Sequence, residues 1–344
     1  MAGHARGPWA VAVSGGGDSL ALMHLLCAFA AAEKLTPPIV LTVDHGLRKS
    51  SASDARQVAA WAGQAGLKAH VLTWRGKKLA RGVEAGAREA RYRLMGAWLA
   101  KKGSATLFVG HTQDDQAETF LLRLARGSGL DGLAGMGARA PWPVPGFTQL
   151  VLARPLLAIR RDQLRDYLMG KDLTWLEDPM NEDAGFDRVK IRKAQAALCE
   201  AGLSPARIAA AAMHLARARE SLEIVTQAVL QRAARRLAKR PGSAPGGILL
   251  DPSALAAAPR EVGLRALALV LMAVGGQAYR PRFDSLERLF DQIAGGTLGG
   301  GATLHGCHIR PAAKGERDFV AFRLAVVPEN PRKTGGLVSQ RGRR

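Results

Sequence analysis

The sequence predicts an α/β fold: a parallel sheet covered by helices on both faces, followed by a helical region and a small β-containing module. Short β-type runs at 9–13, 39–43, 69–74 and 106–109 alternate with segments of helical periodicity. They recur at roughly the ~30-residue spacing of βαβ units. The polar, chemically capable clusters fall just after those runs, at the edge where an open α/β sheet gathers its loops and helix N-termini.

Each element follows from local pattern. Helices are expected over 20–32, after the Asp18-Ser19 start, over 52–65 and over 83–102. A further strand at 150–153 leads through Arg154-Pro155 into a charged helix at 161–169. From Leu203 the texture becomes Ala- and Arg-rich and helical, with Arg207, Arg217, Arg219, Arg232, Arg235 and Arg236. A Pro/Gly/Ser break at 241–247 precedes a second helical region, 252–294. After the glycine-rich 295–301, strand-like pieces surround 303–304, 308–309 and 319–324. The expected division is a catalytic domain at 1–200, a helical domain at 203–294, a small β-containing module at 295–330 and a basic, disordered tail at 331–344.

With 344 residues and 47% hydrophobic content, the chain is long enough to bury a sizeable core. Its formal net charge of +20 favours a polyanionic partner, because neutralised phosphates release counterions. Cys27, Cys199 and Cys307 form no CxxC pair, which argues against a disulfide framework or zinc ribbon and fits a reducing cytoplasm. The apolar run at 9–13 stops at a glycine cluster with no cleavage-site pattern, so secretion is not expected. The apolar stretch 266–274 is far below the ~20 residues needed to cross a bilayer.

Ser14-Gly15-Gly16-Gly17-Asp18-Ser19 follows a strand and opens a helix. Glycines let backbone N–H groups approach a phosphate, and the helix N-terminus adds a favourable dipole. The loop lacks the GxxxxGK[ST] pattern and its lysine, which removes support for a kinase- or GTPase-type phosphate loop. Asp18 offers a hard oxygen suited to Mg²⁺, with helix capping as its plainer role. The string from Gly127 to Gly132 spells GxGxxG but follows a helix, so it lacks the context of a dinucleotide fold. In 111–119, His111 precedes Asp114, Asp115 and Glu118, and a helix starting near Asp114 sets Asp115 and Glu118 on one face. Three acids and a histidine exceed what a helix dipole needs. His305, Cys307 and His308 lack a second cluster to complete four metal ligands, so a structural role is expected.

SGGGDS resembles the SGGxDS signature of the PP-loop ATP pyrophosphatases, and HTQDDQAET at 111–119 resembles the HTxDDQAET signature of the tRNA(Ile)-lysidine synthetase family. The likeness extends in order through Asp44-His45-Gly46-Leu47-Arg48, the helix with Glu84, Arg88, Arg91 and Tyr92, and Arg126-Gly127-Ser128-Gly129 with its following GLAGM. Arg154-Pro155-Leu156-Leu157 and Glu177-Asp178-Pro179, with Asn181, Phe186, Arg188, Ile191 and Arg192, complete the series. Departures are Met180, where a small polar residue is usual, and Val189-Lys190, where the family commonly has Asn-Arg. Beyond residue 200 the likeness is architectural.

The resemblance implies ATP-dependent joining of L-lysine to the wobble cytidine of a CAU-anticodon tRNA(Ile), through an adenylated base. It implies that Ser14, Gly15, Gly16, Gly17, Asp18 and Ser19 hold the pyrophosphate portion of ATP, that Asp18 holds magnesium, and that Asp44 and His45 lie near the nucleotide. Asp115 and Glu118 are the candidates for holding lysine, with Arg88 beside them. Arg88, His111, Asp114 and Arg126 would neutralise, orient or coordinate groups around the phosphates. Asn181, Arg188, Arg192, Arg232, Arg235 and Arg236 are the candidates for tRNA contact. The alternative is a sibling PP-loop enzyme such as a tRNA thiolase, against which the lack of a CxxC pair counts. A non-catalytic RNA-binding module would leave the acids unexplained, since carboxylates repel phosphate.

Overall fold

A computed structural model of the chain describes residues 8–76, 83–177, 187–237, 246–277, 279–313, 316 and 321–329. Asn181 and the tail at 331–344 lie outside them, as do the side chains of Glu84 and Arg188. The chain divides into two compact units, Met1–Arg217 and Ala218–Arg344.

The first unit is built on a sheet of strands β1 (Ala10–Ala12), β2 (Ile39–Asp44), β3 (Ala69–Thr73), β4 (Thr106–Phe108), β5 (Arg139–Pro141) and β6 (Val151–Ala153), in the order β3-β2-β1-β4-β6-β5. Every pairing is parallel except β5 with β6. The expected parallel sheet is therefore present, with an antiparallel edge strand that the pattern of residues 139–141 did not announce.

Helices α1 (Gly17–Ala32), α2 (Ser51–Gln64), α3 (Val83–Lys102) and α4 (Gln113–Ala125) supply the crossovers and the start of the second half. Helix α6 (Arg161–Met169) follows β6, and α7 (Asp187–Glu200) packs along α4. The short α5 (Leu130–Leu133) sits after α4, so the GxGxxG string runs from the end of α4 into the start of another helix.

Two hydrophobic clusters form the core of this unit. Leu20, Leu22 and Met23 of α1 are fully buried with Val11, Val40, Val58, Leu164 and Leu168. Consecutive buried residues mean that α1 is enclosed on several faces, which explains why it is apolar all round rather than striped. The other cluster sets Tyr92, Met95 and Leu99 of α3 against Ala10, Leu41, Leu107 and Leu152. Each fully buried leucine contributes roughly 1.5–3 kcal/mol of transfer free energy, so the strands that carry the site rest on a rigid base.

The strand order places the switch in winding direction between β1 and β4. From β1 the chain steps outward to β2 and β3; from β4 it steps the other way to β6. Loops leaving neighbouring strands in opposite directions open a crevice between them, and ligands of open α/β sheets bind there.

The second unit begins within α8 (Pro205–Ala233). It contains β7 (Ala234–Arg236), β8 (Ile248–Leu250), α9 (Pro252–Ala256), α10 (Arg260–Gly275), α11 (Phe283–Ala294), β9 (Ala302–Leu304), β10 (Cys307–Pro311) and β11 (Leu324–Pro328). Its antiparallel sheet runs β7-β8-β11-β10-β9. One hydrophobic cluster joins Leu267 and Leu271 of α10 and Phe290 of α11 to Ile309 and Val326 of the sheet, so the helical stretch and the β-rich stretch share a core. Cys307 is buried in that core, and burial pushes its thiol up to about 11. His305 takes a positive φ in the turn before it. Among the described residues no group of three or more metal-ligating side chains gathers, and no helix is long and apolar enough to cross a membrane.

Candidate active site

A cleft of about 660 Å³ opens at the carboxyl edge of the first unit's sheet. Its lining includes Ser14, Gly16, Gly17, Asp18 and Ser19 after β1, His45 after β2, His111 and Asp115 after β4, and Arg161 after β6. Residues from four strand ends thus meet in one place, as the clustering of polar strings in the sequence implies.

The glycine turn is shaped by close approach. Gly15 has φ +97°, and a Cβ there would lie 2.6 Å from Leu176 Cδ1. The Leu176 backbone N–H donates to the Gly15 carbonyl at 2.9 Å, which clamps the segment before Asp178 onto the turn. Ser19 Oγ donates to the Gly16 carbonyl at 2.9 Å and accepts from the Ser14 N–H at 3.2 Å, tying the two ends of the turn together. Helix α1 starts at Gly17 with no side-chain cap, so N–H groups of its first turn are left for a ligand. Gly110, beside the turn, is a residue the sequence did not single out. A Cβ on it would stand 3.0 Å from the Asp18 carbonyl oxygen, so only glycine lets the β4 loop lie against α1 without a shift.

Helix α4 is started by its own acids. Thr112 Oγ1 accepts from the Asp115 N–H at 3.3 Å, and the Thr112 N–H donates to Asp115 Oδ2 at 2.8 Å, forming a capping box. Asp114 turns the other way. Its Oδ2 accepts the Arg161 backbone N–H at 2.8 Å and so satisfies an orphan donor in the first turn of α6. The trio read from the sequence is thereby divided: Asp115 lines the cleft, Asp114 anchors a neighbouring helix, and Glu118 is buried behind.

Arg161, which sequence reasoning did not place in the site, is the hub. Its Nε donates to Asp18 Oδ2 at 3.1 Å, its Nη2 to Asp115 Oδ1 at 3.1 Å and its Nη1 to Glu118 Oε1 at 3.4 Å. Arg192 holds Glu118 from the other side at 2.6 and 3.2 Å. Burial opposes the Arg161 charge, but Asp115, Asp18 and Glu118 outweigh it and hold the guanidinium above its ordinary value. Burial also lifts the Asp18 carboxyl above the usual range, against the pull of Arg161.

Each cleft histidine is met by an arginine. Arg91 Nε donates to His45 Nε2 at 3.3 Å, and Arg154 Nε donates to His111 Nδ1 at 3.3 Å. An arginine N–H can only donate, so those ring nitrogens accept, and in the neutral ring the proton sits on His45 Nδ1 and His111 Nε2. Burial first and Arg91 second lower His45 to about 4. The folded value lies below the ordinary 6.5, so His45's contribution to stability is complete above pH 6.5 and is lost as pH falls toward about 4. The ¹³C-histidine resonances should show His45 neutral at pH 6; a midpoint at or above 6 would contradict this environment.

The remaining sequence candidates fall in several places. Arg88 and Arg192 line the cleft. Asp44 is just outside its lining and is held by Ser51 Oγ at 2.6 Å and the Gly46 N–H at 2.9 Å, contacts that keep its carboxyl below the usual range. Arg126 lies past the far end of α4, where it pairs with Asp187 at 3.0 Å and is largely exposed. Arg232, Arg235 and Arg236 belong to the second unit; all three are exposed, and Arg235 lies 5.3 Å over the Phe322 ring.

The PP-loop domain family matches residues 3–197. The tRNA(Ile)-lysidine synthase of Ruegeria pomeroyi is 44% identical over 274 residues, covering 79% of this chain and 62% of its own length. That of Methylobacterium nodulans is 39% identical over 342 residues, covering 96% and 93%. That of Wolbachia pipientis wMel is 35% identical over 302 residues, covering 88% and 68%. Among solved structures, the U34-tRNA thiolase of Methanococcus maripaludis has a TM-score of 0.50 over 64% of this chain and 73% of its own, at 16% identity, a likeness of fold.

Proposed function

The chain belongs to the PP-loop domain family and, within it, to the tRNA(Ile)-lysidine synthases, and from that premise we propose that it joins L-lysine to C2 of the wobble cytidine of tRNA(Ile) bearing a CAU anticodon. ATP is consumed, and AMP and pyrophosphate are released. In the first step the cytosine O2 attacks the α-phosphorus of ATP, the bond to pyrophosphate breaks, and the base carries AMP on O2. In the second the lysine ε-amine attacks C2, the C2–O2 bond breaks with release of AMP, and the amine gives up a proton. The substrates assign the reaction to the cytoplasm.

One observation carries the reading: Asp18 beside the glycine turn and Asp115 and Glu118 of α4 converge on a single guanidinium at the ligand edge of the sheet. Such a cluster suits a cationic substrate next to a polyphosphate. The N–H groups of the glycine turn and the cleft arginines Arg48, Arg88, Arg91 and Arg165 suit the phosphates. Asp18 fits magnesium, which typically takes one or two carboxylates and completes its shell with phosphates and water; there it would neutralise phosphate charge. Asp115 and Glu118 would hold lysine, with Arg88 nearby. A lysine ε-ammonium ordinarily loses its proton near ~10.4, so roughly one amine in 2,500 is neutral at pH 7 and a carboxylate that orients or accepts its proton matters. His111 would orient or coordinate groups around the phosphates, while Asp44 and His45 flank the nucleotide.

In this reading Asn181, Arg188, Arg192, Arg232, Arg235 and Arg236 serve as contacts to the tRNA. RNA recognition of this kind reads splayed loop bases in a pocket and overall shape elsewhere. Sulfur transfer, the alternative within the fold, commonly draws on paired thiols, and Cys27, Cys199 and Cys307 sit on α1, α7 and β10.

The test is incubation with ATP, radiolabelled lysine and unmodified tRNA(Ile) transcript. Label should appear in the anticodon loop only when ATP is present. Incorporation that does not depend on ATP, or none at all from a folded protein, would end this reading.

A further inference from the structure

Arg161 stands where two substrates of the proposed reaction need carboxylates. Its guanidinium lies between Asp18 on α1 and Asp115 and Glu118 on α4, at 3.1, 3.1 and 3.4 Å. A cation approaching Asp115 therefore meets a resident cation first. Arg192 adds a second positive charge on Glu118 at 2.6 Å. Three carboxylates facing two guanidinium groups are nearly neutralised, which leaves little attraction for a lysine ammonium while Arg161 remains among them.

The backbone of Arg161 is fixed and its side chain is not enclosed. The N–H is bound by Asp114 at 2.8 Å and the residue opens α6. The side chain keeps 20% exposure and lines the same cleft as the glycine turn. A long side chain on a fixed root can change partners without moving the fold. A triphosphate beside the glycine turn would be the stronger partner, since guanidinium groups bind phosphate in a forked geometry and the triphosphate carries more charge than any one carboxylate.

We propose that Arg161 is a positioning residue that couples the two small substrates: without nucleotide its guanidinium occupies the carboxylate cluster and opposes lysine, and bound triphosphate draws it off and opens the cluster. This rests on the assignment of triphosphate and lysine to the cleft made above. By linkage the coupling is mutual, so lysine tightens nucleotide binding by the same factor.

Calorimetric titration of L-lysine into the full chain, alone and saturated with magnesium and the α,β-methylene analogue of ATP, reads the coupling directly. In the wild type, lysine should bind at least about tenfold more tightly with the analogue, within the usual range of coupling between sites. Arg161→Met should bind lysine equally well with and without the analogue. Arg161→Lys, which keeps a cation without the fork, should retain part of the coupling. Simple attraction between lysine and the bound triphosphate would survive the loss of Arg161, so wild-type coupling in Arg161→Met overturns the proposal. So does a wild-type lysine affinity indifferent to the analogue, a comparison that needs no variant to fold. Lysine binding in neither condition would remove the substrate assignment itself and the coupling with it.

Discussion

Asp18→Asn should reduce lysine incorporation about a thousandfold while leaving the melting temperature close to that of the wild type. The change keeps size and shape but removes the negative charge at the junction of the glycine turn and α1. Arg161 would keep Asp115 and Glu118 as partners at 3.1 and 3.4 Å, so the local packing has little reason to collapse. The magnesium position assigned to Asp18 would lose its carboxylate, and a preorganised electrostatic partner of this kind is worth about 10²–10³ in rate. Single-turnover incorporation at saturating ATP isolates that loss. Asp162→Asn is the control. Asp162 pairs with Arg160 at 2.7 Å on an exposed surface, and exposed pairs contribute little, so its activity should stay within about twofold. Activity in Asp18→Asn within tenfold of wild type would remove Asp18 from the chemistry.

Gly15→Ala should destabilise the first unit by about 2–4 kcal/mol, the sum of a strained backbone and a collision. The positive φ of +97° disfavours any side chain, and the new methyl would lie 2.6 Å from Leu176 Cδ1 and 3.2 Å from Val58 Cγ2. Gly66→Ala separates the two contributions: its φ is +73° and nothing lies within 4 Å, so it should lose only about 1 kcal/mol. Urea denaturation of both variants gives the difference, and Leu176→Ala in the Gly15→Ala background should recover part of it. Equal losses at positions 15 and 66 would mean that Leu176 does not press on the turn as described.

The first half of the chain is legible because its signals are local. The runs at 39–43 and 69–74 are strands since β-type residues lie between helical segments, and the polar strings after them mark the edge where the cleft forms. Where pairing rather than composition decides, the sequence is silent. Ala234–Arg236 has no β character of its own and continues a helical string, yet it becomes a strand by pairing with Ile248–Leu250. Arg139–Pro141 is an edge strand through its pairing with β6. The β-type piece expected at 319–324 meets its partner later, at Leu324–Pro328, where β10 fixes the register.

The site shows the same division. The glycine turn and the acidic helix start each carry their chemistry within a few residues. Arg161 does not, because it reaches Asp18 across 143 positions and sits in a helix that reads as merely charged. Nor does any string say that Asp114 would serve α6 rather than the cleft. Gly110 escaped notice because a lone glycine after a strand has many plainer uses.

Asp115 divides its two oxygens between different tasks. Oδ2 receives the N–H and the hydroxyl of Thr112, and Oδ1 receives Arg161. A carboxylate free to rotate could follow a departing ligand, but one pinned by its own helix cannot. The geometry that starts α4 therefore holds this acceptor toward the crevice, so less ordering would be left for a cation to impose if it came to replace Arg161 there.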